Sequence, residues 1–152
     1  DRSEIPALTD LSTALKDYKG GEAVAQGEAF DPSSANVRKR TIEGQLGNGM
    51  KLVFVPKKTR GNTVHADIAL HFGDLNTLKG RTAAAVLTPS MLMRGTQKHT
   101  RTQIQDELSR LKARVSPMAM GASALRFRIE TTKPNLPAVM KLVSGAAGAC
   151  LR

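Results

Sequence analysis

The chain has 152 residues, enough for one domain with a real core, and its 40% hydrophobic content argues against disorder. Aromatics are only 3%, with no Trp and the single Tyr18, so the core is expected to be aliphatic, built from Leu, Val, Ile, Ala and Met. The formal charge of +10 suits nucleic acid, an anionic membrane, an acidic partner, or an acidic remainder of a longer chain.

No apolar run approaches the roughly 20 residues of a bilayer span, and no signal peptide is visible. A lone Cys150 excludes an internal disulfide and any multi-Cys metal site. The chain begins at Asp1 without an initiator Met and stops at Arg152 inside a predicted helix. It is therefore expected to be a piece of a longer polypeptide.

Residues 1–37 are weakly patterned. Pro6 followed by Ala7 to Leu15 predicts a short helix ending near Lys19-Gly20-Gly21. Asp31-Pro32-Ser33-Ser34 is a loop signature, and the whole stretch reads as a connector lying over a domain. From Arg38 the pattern sharpens. Arg40 to Gln45 predicts a strand that turns through Gly47-Asn48-Gly49 into Met50 to Val55, because Asn-Gly between apolar runs is a strong hairpin signal. After the basic turn Pro56 to Asn62, Val64, Ala66, Ile68, Leu70 and Phe72 alternate with His65, Asp67 and His71. That period of two predicts a strand with one buried face.

Gly73-Asp74 ends the strand, and Arg81 to Met93 reads as an apolar helix. Thr100-Arg101-Thr102-Gln103 has the capping-box pattern, and Ile104, Leu108 and Leu111 follow at helical spacing. Strands are predicted over Arg114 to Met120 and Ala124 to Thr131, the second alternating Leu125, Phe127 and Ile129 with Arg126, Arg128 and Glu130. Asn135 is the expected cap of a last helix from Leu136, with Pro137 tolerated in its first turn. The order β-β-β-α-α-β-β-α predicts an α+β fold: a mixed, mainly antiparallel sheet with helices packed on one face.

Several phrases in order resemble the insulinase/pitrilysin (inverzincin) family of zinc peptidases: Leu46-Gly47-Asn48-Gly49-Met50-Lys51-Leu52-Val53, Leu70-His71-Phe72-Gly73-Asp74, and Met91-Leu92-Met93-Arg94-Gly95-Thr96. Tyr18-Lys19-Gly20 with Gly27-Glu28-Ala29-Phe30-Asp31-Pro32 is similar to the segment joining the two halves of bacterial members. The resemblance implies the metallohydrolase fold of the mitochondrial-processing-peptidase type, here incomplete. Residues 1–37 would then be a connector from a preceding half, and residues 38–152 the N-terminal portion of a peptidase-like domain cut short at its C-terminus.

In active members the helix before the Met-Leu-x-Arg-Gly-Thr phrase carries His-x-x-Glu-His, whose spacing lets two imidazoles hold zinc while the carboxylate activates its water. In this chain those positions fall on Val86, Pro89 and Ser90. Val86 has no lone pair, Pro89 no carboxylate, and a neutral Ser90 is a poor zinc ligand. Pro89 also removes a helical hydrogen bond to Ala85 and is expected to kink or split the helix. The resemblance thus implies an inactive second half, with no catalytic or metal-binding residue and no cofactor of its own. It would wall the substrate chamber of the zinc-bearing half on the same polypeptide, acting on peptides in a bacterial, extracytoplasmic setting.

His65 and His71 lie on one strand face but roughly 20 Å apart at about 3.3 Å per residue, too far to share zinc. His99 has no partner at ligand spacing. Arg38-Lys39-Arg40, Lys57-Lys58-Thr59-Arg60 and Lys98-His99-Thr100-Arg101 are local basic clusters. A basic module for nucleic acid or an anionic surface is the alternative function, yet no recognition motif accompanies the clusters, and Phe54, Phe72 and Phe127 fall on predicted buried faces. Core filling is the expected role of the Met residues and of Cys150, and a homodimer is expected only as an effect of truncation.

Overall fold

The computed structural model describes residues 16, 17, 20, 23–74 and 76–150. The helix expected over Ala7 to Leu15, the residues Tyr18, Lys19, Gly21, Leu151 and Arg152, and the setting of the Cys150 side chain lie outside that description. The elements are α1 (Ser34–Arg40), β1 (Ile42–Gln45), β2 (Lys51–Phe54), a 3-10 turn (Arg60–Asn62), β3 (Thr63–His71), α2 (Thr82–Leu92), α3 (Arg101–Arg110), β4 (Arg114–Ala119), β5 (Ala124–Thr132), a second 3-10 turn (Lys133–Asn135) and α4 (Leu136–Cys150). This is the expected α+β class, and every strand pair is antiparallel.

The strands divide into two sheets: a β1–β2 ribbon, and a three-stranded sheet in the order β3-β5-β4. In the larger sheet, β5 is central and its alternation is clean. Leu125, Phe127, Ile129 and Thr131 are buried while Arg128 and Glu130 are exposed. Those inward side chains form the core with Leu92 of α2, Leu111 after α3, and Val139 and Val143 of α4, flanked by Ala66, Ile68, Leu70 and Phe72. The helices therefore cover the face of the sheet that the period-two pattern marks as apolar. Phe127 is the largest fully buried side chain, at 0% exposure, and no Met is among the buried residues. The core is aliphatic around one aromatic. Of the six Met residues, Met50, Met91, Met118, Met120 and Met140 are exposed, so the expected core role does not hold for them.

Local signals explain the element ends. Thr100 and Gln103 complete the capping box at the start of α3. Its far end is a Schellman motif: the Ala113 amide donates to the Leu108 carbonyl at 2.8 Å and the Lys112 amide to that of Ser109 at 3.0 Å. The Leu111 carbonyl then accepts from Thr131 Oγ1 at 3.1 Å and from Asn135 Nδ2 at 2.9 Å. Asn135, expected to cap α4, instead ties the end of α3 to the end of β5.

The ribbon turn is a three-residue loop. The Leu46 amide donates to the Met50 carbonyl and the Gly49 amide to the Leu46 carbonyl, both at 2.9 Å, with Gly49 at φ 85° taking the left-handed position of such loops. Phe54, placed by the sequence pattern on a buried face, is 56% exposed, because the ribbon does not join the larger sheet. The loop expected around Asp31-Pro32-Ser33-Ser34 runs through Ser33, the N-cap of α1, which begins at Ser34; Asp31 Oδ1 accepts the Ser33 amide at 2.9 Å. Helix α1 crosses the boundary expected between residues 37 and 38.

Candidate functional site

Helix α2 carries the positions to which the resemblance assigns zinc chemistry. It is apolar nearly all round, and packing selects one stripe. Ala85, Pro89 and Leu92, at i, i+4 and i+7, are buried, on the side that meets β4 and α4. The helix runs unbroken from Thr82 to Leu92, so the split expected at Pro89 does not occur. A proline cannot donate to the Ala85 carbonyl, and the Pro89 ring is buried in the interior.

Val86 and Ser90 sit one turn apart on a neighbouring, exposed stripe. Val86 is 46% exposed, and the Ser90 hydroxyl donates to the Leu87 carbonyl of its own helix at 2.7 Å. The structure therefore brings positions 86 and 90 together at the surface and turns position 89 inward. The exposed stripe also holds Leu87 and Met91, which leaves it apolar apart from the Ser90 hydroxyl.

The three imidazoles lie apart in the fold. His65 Nδ1 lies 4.0 Å from Glu130 Oε2 with both side chains exposed. His71 stands opposite Ala124 at the far end of β3, and the His99 amide donates to Thr96 Oγ1 at 3.0 Å in the turn before α3. Among the described residues no group of three or more His, Cys, Asp or Glu is placed to hold a metal ion.

The outer face of the larger sheet is polar, with cross-strand rows His65–Glu130–Arg114, Asp67–Arg128–Ser116 and Ala69–Arg126–Met118. Arg128 Nε is 3.5 Å from Asp67 Oδ1, while Arg126 Nε is buried without a partner among the described residues. Two edges close this face. Pro117 lies on β4, where it removes a donor and blunts the edge, whereas β3 offers nine residues without a proline. An open depression of about 340 Å³ at one corner is lined by Ser109, Lys112, Ala113, Arg114 and Glu130.

A second concentration of charge lies at the base of the ribbon, where the fold joins two of the basic clusters. The connector runs beside the turn after β2: the Glu28 amide donates to the Lys58 carbonyl at 3.0 Å and the Gly61 amide to that of Ala25 at 2.9 Å. Glu28 Oε1 accepts from Arg40 Nη1 at 2.6 Å and from the Lys58 amide at 3.2 Å. The Arg40 hydrogen bond holds the Glu28 carboxyl below its ordinary value of 4.5, against a smaller opposing effect of burial. Arg40 and Lys57 both stand over the Phe30 ring, 5.4 and 5.1 Å from its centre, within cation–π range.

The sequence pattern gives the basic clusters no aromatic neighbour, and the fold supplies one. The signal was present in Asp31 and Ser33, whose capping geometry starts α1 and directs its basic last turn, Arg38-Lys39-Arg40, toward the connector. The third cluster, Lys98 to Arg101, stays separate in the Gly95–Thr100 bridge before α3. No family model matches the chain, and no curated protein matches it.

Proposed function

We propose that this chain is a non-catalytic peptidase-like half, which partners the zinc-bearing half of an insulinase/pitrilysin-type metalloprotease and walls its substrate chamber. The observation that carries the reading is the state of α2. The helix that precedes Met91-Leu92-Met93-Arg94-Gly95-Thr96 has Val86 and Ser90 at its surface and Pro89 in its interior. It offers no metal ligand, general base or nucleophile at the positions where an active half needs them.

Two surfaces support a partnered role: the apolar stripe of Val86, Leu87 and Met91 on α2, and the unbroken edge of β3. Zinc belongs to the partner half in this reading, and peptides are substrates of the assembled protein. The test is a peptidase assay on this chain alone, and again after mixing it with the polypeptide from the same source that carries an intact His-x-x-Glu-His helix. Chelator-sensitive turnover is expected only in the mixture. Turnover by the chain alone, or no effect of adding it to its partner, overturns the reading.

A further inference from the structure

The β1–β2 ribbon has one apolar face, and the rest of the described chain leaves most of it exposed, with Leu52 half-buried. Directly opposed residues of an antiparallel pair share a face. The register therefore puts Ile42, Phe54, Gly44 and Leu52 on one side, with Leu46 and Met50 continuing it, and Glu43, Val53, Gln45 and Lys51 on the other. Ile42 and Phe54 are each 56% exposed, and Leu46 and Met50 are exposed as well. A two-stranded ribbon is marginal in water unless its apolar face is buried against something.

Charge identifies the occupant. Between Arg38 and Arg60 the chain holds seven Lys and Arg against the single carboxylate of Glu43, a net +6 of the total +10. The two arms of this cluster meet at the base of the ribbon, where Arg40 Nη1 is 3.3 Å from the Pro56 carbonyl and Arg40 and Lys57 share Phe30. Two copies of the chain docked ribbon to ribbon would set these charges against each other, which disfavours a second copy. Single-stranded nucleic acid needs a succession of stacking planes; on this face Phe54 supplies one, and Ile42, Leu46, Met50 and Leu52 supply none. A lipid bilayer with anionic headgroups matches both halves of the pattern, since it offers negative charge at its surface and hydrocarbon about 5–10 Å below.

We propose that the ribbon is a peripheral membrane-binding element. It lies flat on anionic phospholipid, with Ile42, Leu46, Met50, Leu52 and Phe54 entering the acyl boundary and Arg38, Lys39, Lys57, Lys58 and Arg60 meeting headgroup phosphates. The contact is interfacial, because among the described residues no helix is long and apolar enough to cross a membrane. This role is independent of the peptidase reading and stands or falls separately from it.

The chain contains no Trp, so one Trp at a time reports one face of the ribbon. Phe54→Trp and Val53→Trp are adjacent exposed positions on opposite faces. With vesicles of equal parts phosphatidylglycerol and phosphatidylcholine at near-physiological salt, Phe54→Trp emission shifts to the blue and is quenched by brominated acyl chains. Val53→Trp keeps its water-exposed spectrum. Lys57→Glu with Lys58→Glu weakens vesicle binding by about 25-fold or more, from about fivefold per cation removed. Equal shifts for both Trp variants, no shift for either, or equal affinity for pure phosphatidylcholine overturns the proposal. Tighter binding of a single-stranded oligonucleotide at the same salt, abolished by the same charge reversal, overturns it in favour of nucleic acid.

Discussion

Arg40 Nη1 donates to Glu28 Oε1 across 2.6 Å, and that contact joins the end of α1 to the connector and, through the Lys58 amide, to the turn after β2. The Arg40 hydrogen bond is the largest reason the Glu28 carboxyl titrates below 4.5. A carboxylate with a depressed folded-state pKa stabilises the fold above its unfolded pKa, and that contribution is lost as pH falls through the folded value. Wild type should therefore melt above Glu28→Gln at neutral pH, with the difference in midpoint vanishing as pH drops below 4.5 and past the folded pKa. A carbon-detected NMR titration should place the Glu28 transition below 4.5, and Arg40→Ala should move it upward. A pH-independent difference in midpoint would detach the ion pair from stability.

Lys112 occupies the position after the α3 cap at φ 48°, in a Schellman motif where glycine is the usual residue. A left-handed backbone costs an L-residue about 1–2 kcal/mol, and glycine in the unfolded chain gives back about 0.5–1 kcal/mol of that gain as entropy. Lys112→Gly should therefore stabilise the domain by about 0.5 kcal/mol, read from the midpoint of urea unfolding at unchanged slope. A loss would show that the lysine charge beside the helix C-terminus outweighs the backbone strain.

Phe127 is the centre of the core, at 0% exposure between Ile68 across β3 and Pro117 across β4. Phe127→Ala should cost about 3–5 kcal/mol through lost burial and the cavity left behind. That is a large part of the stability of a domain this size, so much of the variant should be unfolded at room temperature by circular dichroism. A cost below about 1 kcal/mol would mean that the helices do not pack on this face of the sheet.

What was legible in the sequence is what local geometry dictates. The alternation in β3 and β5, the Thr100–Gln103 box and the Asn48-Gly49 turn each act within a few residues, and each appears where the pattern places it. Non-local choices were hidden. Nothing within Ile42 to Phe54 says whether the ribbon joins the larger sheet, and its separate pairing exposes Phe54 and Met50. Asn135 looks like a cap because its position before Leu136 fits one, yet the Leu111 carbonyl, distant in sequence, takes its amide. The candidate site divides the same way. Val86, Pro89 and Ser90 fall on a helix as expected, but a helix apolar on nearly every side does not announce which stripe it buries.

That choice of stripe yields the last prediction. Val86 and Ser90 are exposed and one turn apart, so Val86→His with Ser90→His presents two imidazoles at i and i+4, a spacing that can chelate zinc. The double variant should bind zinc measurably in a calorimetric titration where wild type does not, since wild type has only the Ser90 hydroxyl, already donated to Leu87. Adding Pro89→Glu should not complete a peptidase. Position 89 is buried on the packed side of α2, and a carboxylate there must shed its water without a partner or take up a proton. The triple variant should therefore hold zinc no better than the double one and melt below it. Chelator-sensitive peptide hydrolysis by the triple variant would mean that position 89 can rotate to the surface, and that the three substitutions alone separate this chain from an active half.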